Sequence, residues 1–187
     1  MRKRFGIDID GTVTCPSALI PFLNEAFQLN ITLEDIKEYD LSPLVNISKE
    51  ELSMWFAKNE PIMYEKSPLA VGAKEVLTDW AKSFELYFIS ARGSHLIEVT
   101  ENWFKKHGII FHHIDLIGSH DKIEAALKHK IDIFLEDKHD NAVMIAEQCN
   151  IPVLLFDTPY NQEPIPAKVI RVKTWNEAAR WVENWEK

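Results

Sequence analysis

Cysteine is scarce in this chain of 187 residues: Cys15 and Cys149 are the only two, and neither sits in a paired-cysteine spacing. A disulfide framework and a cysteine-ligated zinc site are thereby set aside, and both residues read as free thiols. Long apolar runs are missing too, so no stretch has the length of a membrane-spanning helix. The basic start MRKRFGIDIDG is broken by Asp8 within a few residues, unlike a secretory leader; the cytoplasm is the expected location, and no membrane partner is expected. Positive charge is in deficit, since 21 Lys and Arg face 29 Asp and Glu for a net charge of -8. A binder of nucleic-acid polymer or of a membrane surface needs a basic face, so neither class fits. Any anionic ligand must instead meet local positive charge. Internal repeats and low-complexity tracts are also lacking. The hydrophobic fraction of 46% and charged fraction of 27% are those of an ordinary globular chain. The length suits one domain, or one domain carrying a smaller insertion.

What is present is an alternation of short apolar runs and helical patterns. The runs are 5–9, 85–89 (ELYFI), 115–117, 131–135 (IDIFL) and 153–156 (VLLF). Near-continuous apolar strands separated by helices indicate an α/β fold with a doubly wound parallel sheet covered on both faces. Helical spacing places Ala73, Val76, Leu77 and Trp80 on one face, and Ala178, Trp181, Val182 and Trp185 on another, with Thr174 and Glu177 as a capping box. That row of tryptophans reads as packing onto the sheet. Between the first two runs no strand is apparent. Instead, Thr32 with Asp35 and Ser48 with Glu51 are capping patterns, and Ile47 with Leu52 stand at staple positions. The expected organisation is an α/β core of 1–14 and 69–187, with 15–68 inserted after the first strand as a small helical cap. The stretch DTPYNQEPIPAK reads as a turn-rich loop after the fifth strand.

Chemistry concentrates where strands end. In FGIDIDGTVT, Asp8 and Asp10 close an apolar run and Gly11 follows at once. Ligands of open parallel sheets bind at the carboxyl ends of strands, and two carboxylates held together call for a divalent cation. Gly11 permits a tight turn whose N–H groups could cradle a phosphate oxygen. A calcium loop does not fit, because GTVTCP lacks the later glycine and terminal glutamate of such a loop. Ser90 and the N–H groups after it, beginning at Ala91, follow the second run. Ser119 reads as a helix cap with Lys122 in the first turn, where a cation opposes the helix dipole and suggests an anion nearby. Glu136, Asp137 and Asp140 cluster after the fourth run and suit a hard cation. His95, His112, His113 and His120 show no pattern of metal ligation or nucleophilic work.

DIDGT, Ser90, Lys122 and LEDKHD stand in the order of the four motifs of the haloacid dehalogenase superfamily, which the chain resembles over its whole core. The resemblance implies a magnesium-dependent phosphohydrolase with Asp8 as nucleophile and Asp10 as acid and base. It further implies Mg2+ held by the Asp8 carboxylate, the Asp10 backbone carbonyl and Asp137, with phosphate oxygens held by Lys122, Ser90, Ala91, Gly11 and Thr12. Glu136 departs from the aspartate pair of the fourth motif. Asp10 separates the chain from the dehalogenases, since a halide leaves without being protonated. A carboxylate nucleophile splits a very slow hydrolysis into two steps, and Asp10 would protonate the leaving oxygen and then activate water.

The helical insertion, the length and the stretch FISAR resemble the bacterial branch of the 5'(3')-deoxyribonucleotidase family. This resemblance implies a nucleoside monophosphate as the small-molecule phosphate monoester substrate, with cap aromatics Phe22, Trp55 and Phe56 stacking on the base. Arg92 is either a phosphate or sugar contact or a structural ion pair. A phosphatase of another metabolite such as a sugar phosphate, and a non-catalytic binding protein on the same fold, remain alternatives; a homodimer is left open.

Overall fold

Residues 2–185 are described by the computed structural model, in which six strands form one sheet, parallel throughout. They are β1 (Arg4–Ile7), β2 (Glu85–Ser90), β3 (His113–Leu116), β4 (Ile133–Glu136), β5 (Val153–Phe156) and β6 (Val169–Val172), ordered β3-β2-β1-β4-β5-β6. Four helices lie between β1 and β2: α1 (Ile20–Phe27), α2 (Ser42–Val45), α3 (Lys49–Lys66) and α4 (Ala73–Trp80). Beyond β2 come α5 (Ile97–His107), α6 (Ile123–His129), α7 (His139–Gln148) and, after β6, α8 (Trp175–Trp185). This is a doubly wound α/β fold. The strand order reverses at β1, which opens a crevice at the carboxyl ends of β1, β2 and β4.

Strand alternation divides the core into two layers. Phe5, Ile7, Leu86, Phe88, Ile133, Leu135, Leu154 and Phe156 meet the apolar faces of α4, α5 and α8, including Trp80, Trp103 and Trp175. On the opposite side Ile89, Phe134, Val153 and Leu155 meet the small faces of α6 and α7, built from Ala125, Ala126, Ala142 and Ala146. Gly6 belongs to this second side, where a Cβ would stand 2.4 Å from the Phe134 ring. The glycine preceding the acidic pair therefore makes room for the core.

Two differences from the sequence reading have physical causes. Val169–Val172 forms an edge strand that a four-residue VIRV, half-buried in the middle, does not announce. β1 ends at Ile7 rather than Ile9, although Asp8 N–H still donates to Leu135 O at 2.9 Å and keeps the departing chain against β4. Strand alternation thus does not orient Asp8 and Asp10 together. The turn after β1 does.

Segment 15–68 leaves and rejoins the core at one place. Thr14 and Leu69 form an antiparallel bridge, Cys15 N–H donates to Pro68 O and Ala70 N–H to Val13 O. Inside the excursion, Leu23, Val45 and Leu52 are buried with Phe27, Ile47, Trp55 and Phe56 packed around them. The Ser48–Glu51 capping box is formed in both directions, and Ile47 and Leu52 share this cluster. At α8 the expected box is half made: Glu177 N–H donates to Thr174 Oγ1, but the Glu177 carboxylate accepts from Lys173 N–H.

Candidate active site

The turn after β1, the end of β2, the start of α6 and the β4–α7 junction converge on a cavity of about 510 Å3. Asp8, Asp10, Gly11, Ser90, Ala91, Arg92, Lys122, Glu136 and Asp137 all line it. Lys122 carries its ammonium into the core with only 2% of the residue exposed. Its Nζ donates to Asp8 Oδ1 and, at 2.7 Å, to Glu136 Oε2. A buried cation is tolerated when its partners are charged and hydrogen-bonded, and here two carboxylates, Asp8 just after β1 and Glu136 at the end of β4, supply that. Burial alone would drive the Lys122 ammonium toward neutrality, but Asp8 and Glu136 outweigh it and hold its pKa above the ordinary value.

Glu136, whose role the sequence left open, thereby fixes Lys122, and its Oε1 also accepts from Lys138 N–H at the entrance of α7. Lys122 itself stands at the residue before α6, not in the first turn. The Ser119 hydroxyl accepts from Asp121 N–H rather than capping the helix, and Asp121 Oδ1 accepts from Ile123 N–H.

Asp10 engages Arg92 in a two-pronged pair: Nε donates to Oδ2 at 2.8 Å and Nη2 to Oδ1 at 2.7 Å. The guanidinium is buried, donates a third bond from Nη1 to Thr100 Oγ1 at 3.0 Å, and lies 3.8 Å from the centre of the Tyr64 ring. Arg92 forms the ion pair of the two readings while also lining the cavity. Its partner is the candidate acid and base, so the pair holds that carboxylate in one orientation.

Asp137 is fixed by residues that carried no signal in the sequence. Tyr160 donates to its Oδ2 at 2.6 Å, and Asn161 Nδ2 donates to its backbone oxygen at 2.6 Å. Three carboxylates are therefore crowded and buried: Asp8, Glu136 and Asp137 bring oxygens within 4.8 Å of one another. Burial first, then repulsion from Glu136 and Asp10, pushes the Asp8 carboxyl up to about 7 despite the pull of Lys122. Burial, Asp8 and Glu136 likewise raise Asp137 well above the usual carboxylate range. Asn141, one residue beyond Asp140, lines the same cavity with a buried Oδ1 that has no hydrogen-bond partner. Asp140 is exposed, because helix α7 turns it outward.

The remaining candidates are distributed unevenly. Gly11 adopts φ +82°, and a Cβ there would lie 2.2 Å from Asp137 Oδ2, so glycine is required twice over. Its N–H donates to Thr14 Oγ1 at 3.0 Å. Thr12 is fully buried outside the cavity lining, and its carbonyl accepts from Trp175 Nε1. Ser90 Oγ accepts from Arg92 N–H at 3.2 Å. From the excursion, Phe56 lines the cavity beside Leu19, Leu23, Leu52 and Tyr64. Phe22 and Trp55 do not; the Trp55 ring packs against Phe27 at 5.3 Å and Phe56 at 5.2 Å. Tyr39 bridges excursion and core, with Lys138 Nζ 4.3 Å from its ring centre and Tyr160 beside it.

Solved structures place this fold among the haloacid dehalogenase-type hydrolases. A haloacid dehalogenase-like protein from Agrobacterium tumefaciens superposes with a TM-score of 0.68 over 100% of both chains at 12% identity. The magnesium-bound haloacid dehalogenase-type hydrolase YfnB from Bacillus subtilis does so with a TM-score of 0.65 over 97% of this chain and 99% of the other, also at 12% identity. Within that class the assignment is narrower. Residues 2–184 match the family described as 5' nucleotidase, deoxy (Pyrimidine), cytosolic type C, and the chain belongs to it. Among its relatives, the Halalkalibacterium halodurans protein named "Putative nucleotidase BH1399" is 53% identical over 100% of this chain and 95% of its own length. The protein named "Nucleotidase CA_C3379" from Clostridium acetobutylicum is 30% identical over 91% and 88%. Family and fold together make the chain a phosphoric monoester hydrolase of the nucleotidase kind.

Proposed function

We propose that the protein removes phosphate from nucleoside monophosphates, deoxyribonucleotides in particular, with Asp8 as the nucleophile and segment 15–68 as the cap that receives the nucleoside. The observation carrying this reading is the buried Asp8–Lys122–Glu136 cluster at the base of a cavity whose cap side is mostly apolar, with Asp40, Lys49 and Glu60 as its charged members. A cluster of this kind serves charge at the reacting end, and an apolar wall serves a flat base.

Lys122 engages one Asp8 oxygen, Oδ1, and leaves Oδ2 without a hydrogen bond among the described residues. Oδ2 attacks the phosphorus, and the bond to the leaving oxygen breaks as an aspartyl phosphate forms on Asp8. Asp10 gives its proton to the leaving oxygen, then takes one from the water that cleaves the acyl phosphate. Arg92, its guanidinium laid on the Tyr64 ring, holds Asp10 in place for both transfers. Lys122 and the Ser90–Ala91 segment neutralise charge on the transferring group, which supplies the local positive potential that the net charge of -8 lacks.

The donor set suits a hard divalent cation such as Mg2+. Three crowded carboxylates, two of them, Asp8 and Asp137, with raised proton affinity, and the unpartnered Asn141 oxygen would be relieved by one ion. Asp8, the Asp10 backbone carbonyl and Asp137 would hold it, and its charge would offset the repulsion between carboxylate and phosphate.

Phosphate release from ribo- and deoxyribonucleoside 5'- and 3'-monophosphates, assayed beside sugar phosphates with magnesium and with a chelator, tests this reading. Magnesium-dependent turnover is expected to be highest on deoxynucleotides. Turnover confined to sugar phosphates would keep the mechanism and discard the substrate.

A further inference from the structure

His113 carries no metal pattern in the sequence, yet folding brings it to Asp115 and His129. His113 and Asp115 lie two residues apart on edge strand β3 and so share a face, while His129 closes helix α6 above them. Ligand atoms of all three lie within 4.8 Å of one another. The two imidazole rings are 4.6 Å apart, and His129 Nε2 is 3.0 Å from Asp115 Oδ2. The ring nitrogens of His113 have no hydrogen-bond partner among the described residues, so one lone pair of the cluster is unused.

The surroundings are built to hold this arrangement. Tyr87 on β2 forms the wall, its ring 5.5 Å from His113 and 5.2 Å from His129. Arg4 Nη1 donates to the His129 carbonyl at 2.9 Å and fixes the helix end, while its own charge is met by Glu85 at 2.9 Å. The cation near Asp115 is Lys128, 4.0 Å away on a side chain 67% exposed, free to swing into water. His129 and Asp115 keep side-chain exposures of 12% and 24%, enough to admit an ion.

We infer that His113, Asp115 and His129 form a second cation site, separate from the catalytic carboxylates, which takes a divalent transition ion of the zinc class. Two imidazoles and one carboxylate suit Zn2+, Co2+ or Ni2+ and suit Mg2+ poorly. Tetrahedral coordination needs ligand atoms roughly 3.4 Å apart, so side-chain rotations of about 1 Å close the site, with solvent as fourth ligand. An ion there ties edge strand β3 to α6, the helix that begins next to Lys122.

The test is a titration of the Mg2+-saturated full chain with Co2+, read by visible absorption. One equivalent of Co2+ is expected to give the intense bands of a four- or five-coordinate site, kept in Asp8→Asn and lost in both His113→Gln and His129→Gln. Zn2+ at about a hundredfold over its Kd is expected to raise the Tm of the unsubstituted protein by roughly 5–10 °C and that of the double His→Gln variant by none. Absence of the bands in the unsubstituted chain, or their survival in both histidine variants, overturns the site. The nucleotidase reading is untouched by either result, because none of the three residues lines the catalytic cavity.

Discussion

The carboxylate floor of the cavity and helical segment 15–68, the proposed cap, are built on opposite plans. In the floor every charge but the half-exposed Asp10 is buried, and each is answered from another part of the chain: Asp8 by Lys122, Lys122 by Glu136, Asp10 by Arg92, Asp137 by Tyr160. In the cap the polar contacts are local and mostly exposed, as in Ser48 with Glu51, Thr32 with Asp35 and Asp40 with Ser42. Its buried apolar cluster is small, with Leu23, Val45 and Leu52 at its centre. A part that must hold charges in a fixed array needs the sheet, whereas a part that, on the proposed function, admits a nucleoside can be held by less. On the proposed function, chemistry and specificity thus sit on parts held by different kinds of contact.

The sharpest way to break this division is at the floor. Asp8→Asn removes the proposed nucleophile while keeping its shape, and turnover is expected to fall on the order of 10^4-fold or more, measured as phosphate release under saturating substrate. The variant is also expected to fold, because the amide that replaces the carboxylate carries no charge into a site where Asp8 is already reluctant to ionise. Turnover retained within tenfold would take the nucleophile role from Asp8.

The same residue ties stability to pH. Its folded-state pKa of about 7 lies above the ordinary 3.8, so the folded protein binds this proton more tightly than the unfolded chain does. Asp8 therefore contributes stability in full below about pH 4 and loses it as pH rises through 7. Raised Asp137 acts in the same direction. Urea midpoints measured with a chelator are expected to decline between pH 4 and 7 through these groups, to decline less in Asp8→Asn, and to flatten when Mg2+ is added. A slope equal in Asp8→Asn and the parent would show that the crowded carboxylates do not control it. The cap offers no counterpart, since its shifted carboxylates, the exposed Asp35 and Glu51 and the half-exposed Asp40, are held low by local hydrogen bonds.

Arg92 tests how much the orientation of Asp10 contributes. Arg92→Lys keeps the charge but loses the two-pronged geometry and the face laid on Tyr64. A fall in kcat of about 10- to 100-fold with a smaller change in KM is expected. A rise in KM with kcat unchanged would instead make Arg92 a substrate contact.

Much of the floor is legible in the sequence because strand ends are legible. Apolar runs closing on Asp8, Ser90 and Asp137 mark where a parallel sheet presents its ligands, and five of the six strands follow from such runs. What the sequence hides is partnership across space. Nothing near Asp10 announces Arg92, 82 residues away, nor does Asp137 announce Tyr160 in a turn-rich loop. Glu136 reads as an irregular substitution until its bond to Lys122 is seen. Asn141 carried a signal that could have been used, since it lies four residues beyond Asp137 at the start of a helix, while Asp140 points to water. In the cap the difficulty is different. Helix α3 buries only Leu52 and Met63, so no single apolar stripe tells which of its aromatic residues faces the substrate.

Trp55 and Phe56 supply the finest test, because they are neighbours on α3 and differ by one helical step of rotation. That step sends Phe56 to the cavity wall and Trp55 to Phe27 inside the cap. Phe56→Ala is expected to raise KM for a nucleotide by about tenfold, the loss of roughly 1.4 kcal/mol of stacking on a base, with kcat little changed. Trp55→Ala is expected to leave KM within twofold and to lower stability by about 1–2 kcal/mol, less than a fully buried tryptophan because this one is half-buried. A sugar phosphate in the same assay separates base from phosphate recognition, since Phe56→Ala has no base to lose there. If instead Trp55→Ala raises KM and Phe56→Ala does not, then α3 turns on binding, and the cap surface that meets the substrate is not the one that faces the cavity at rest.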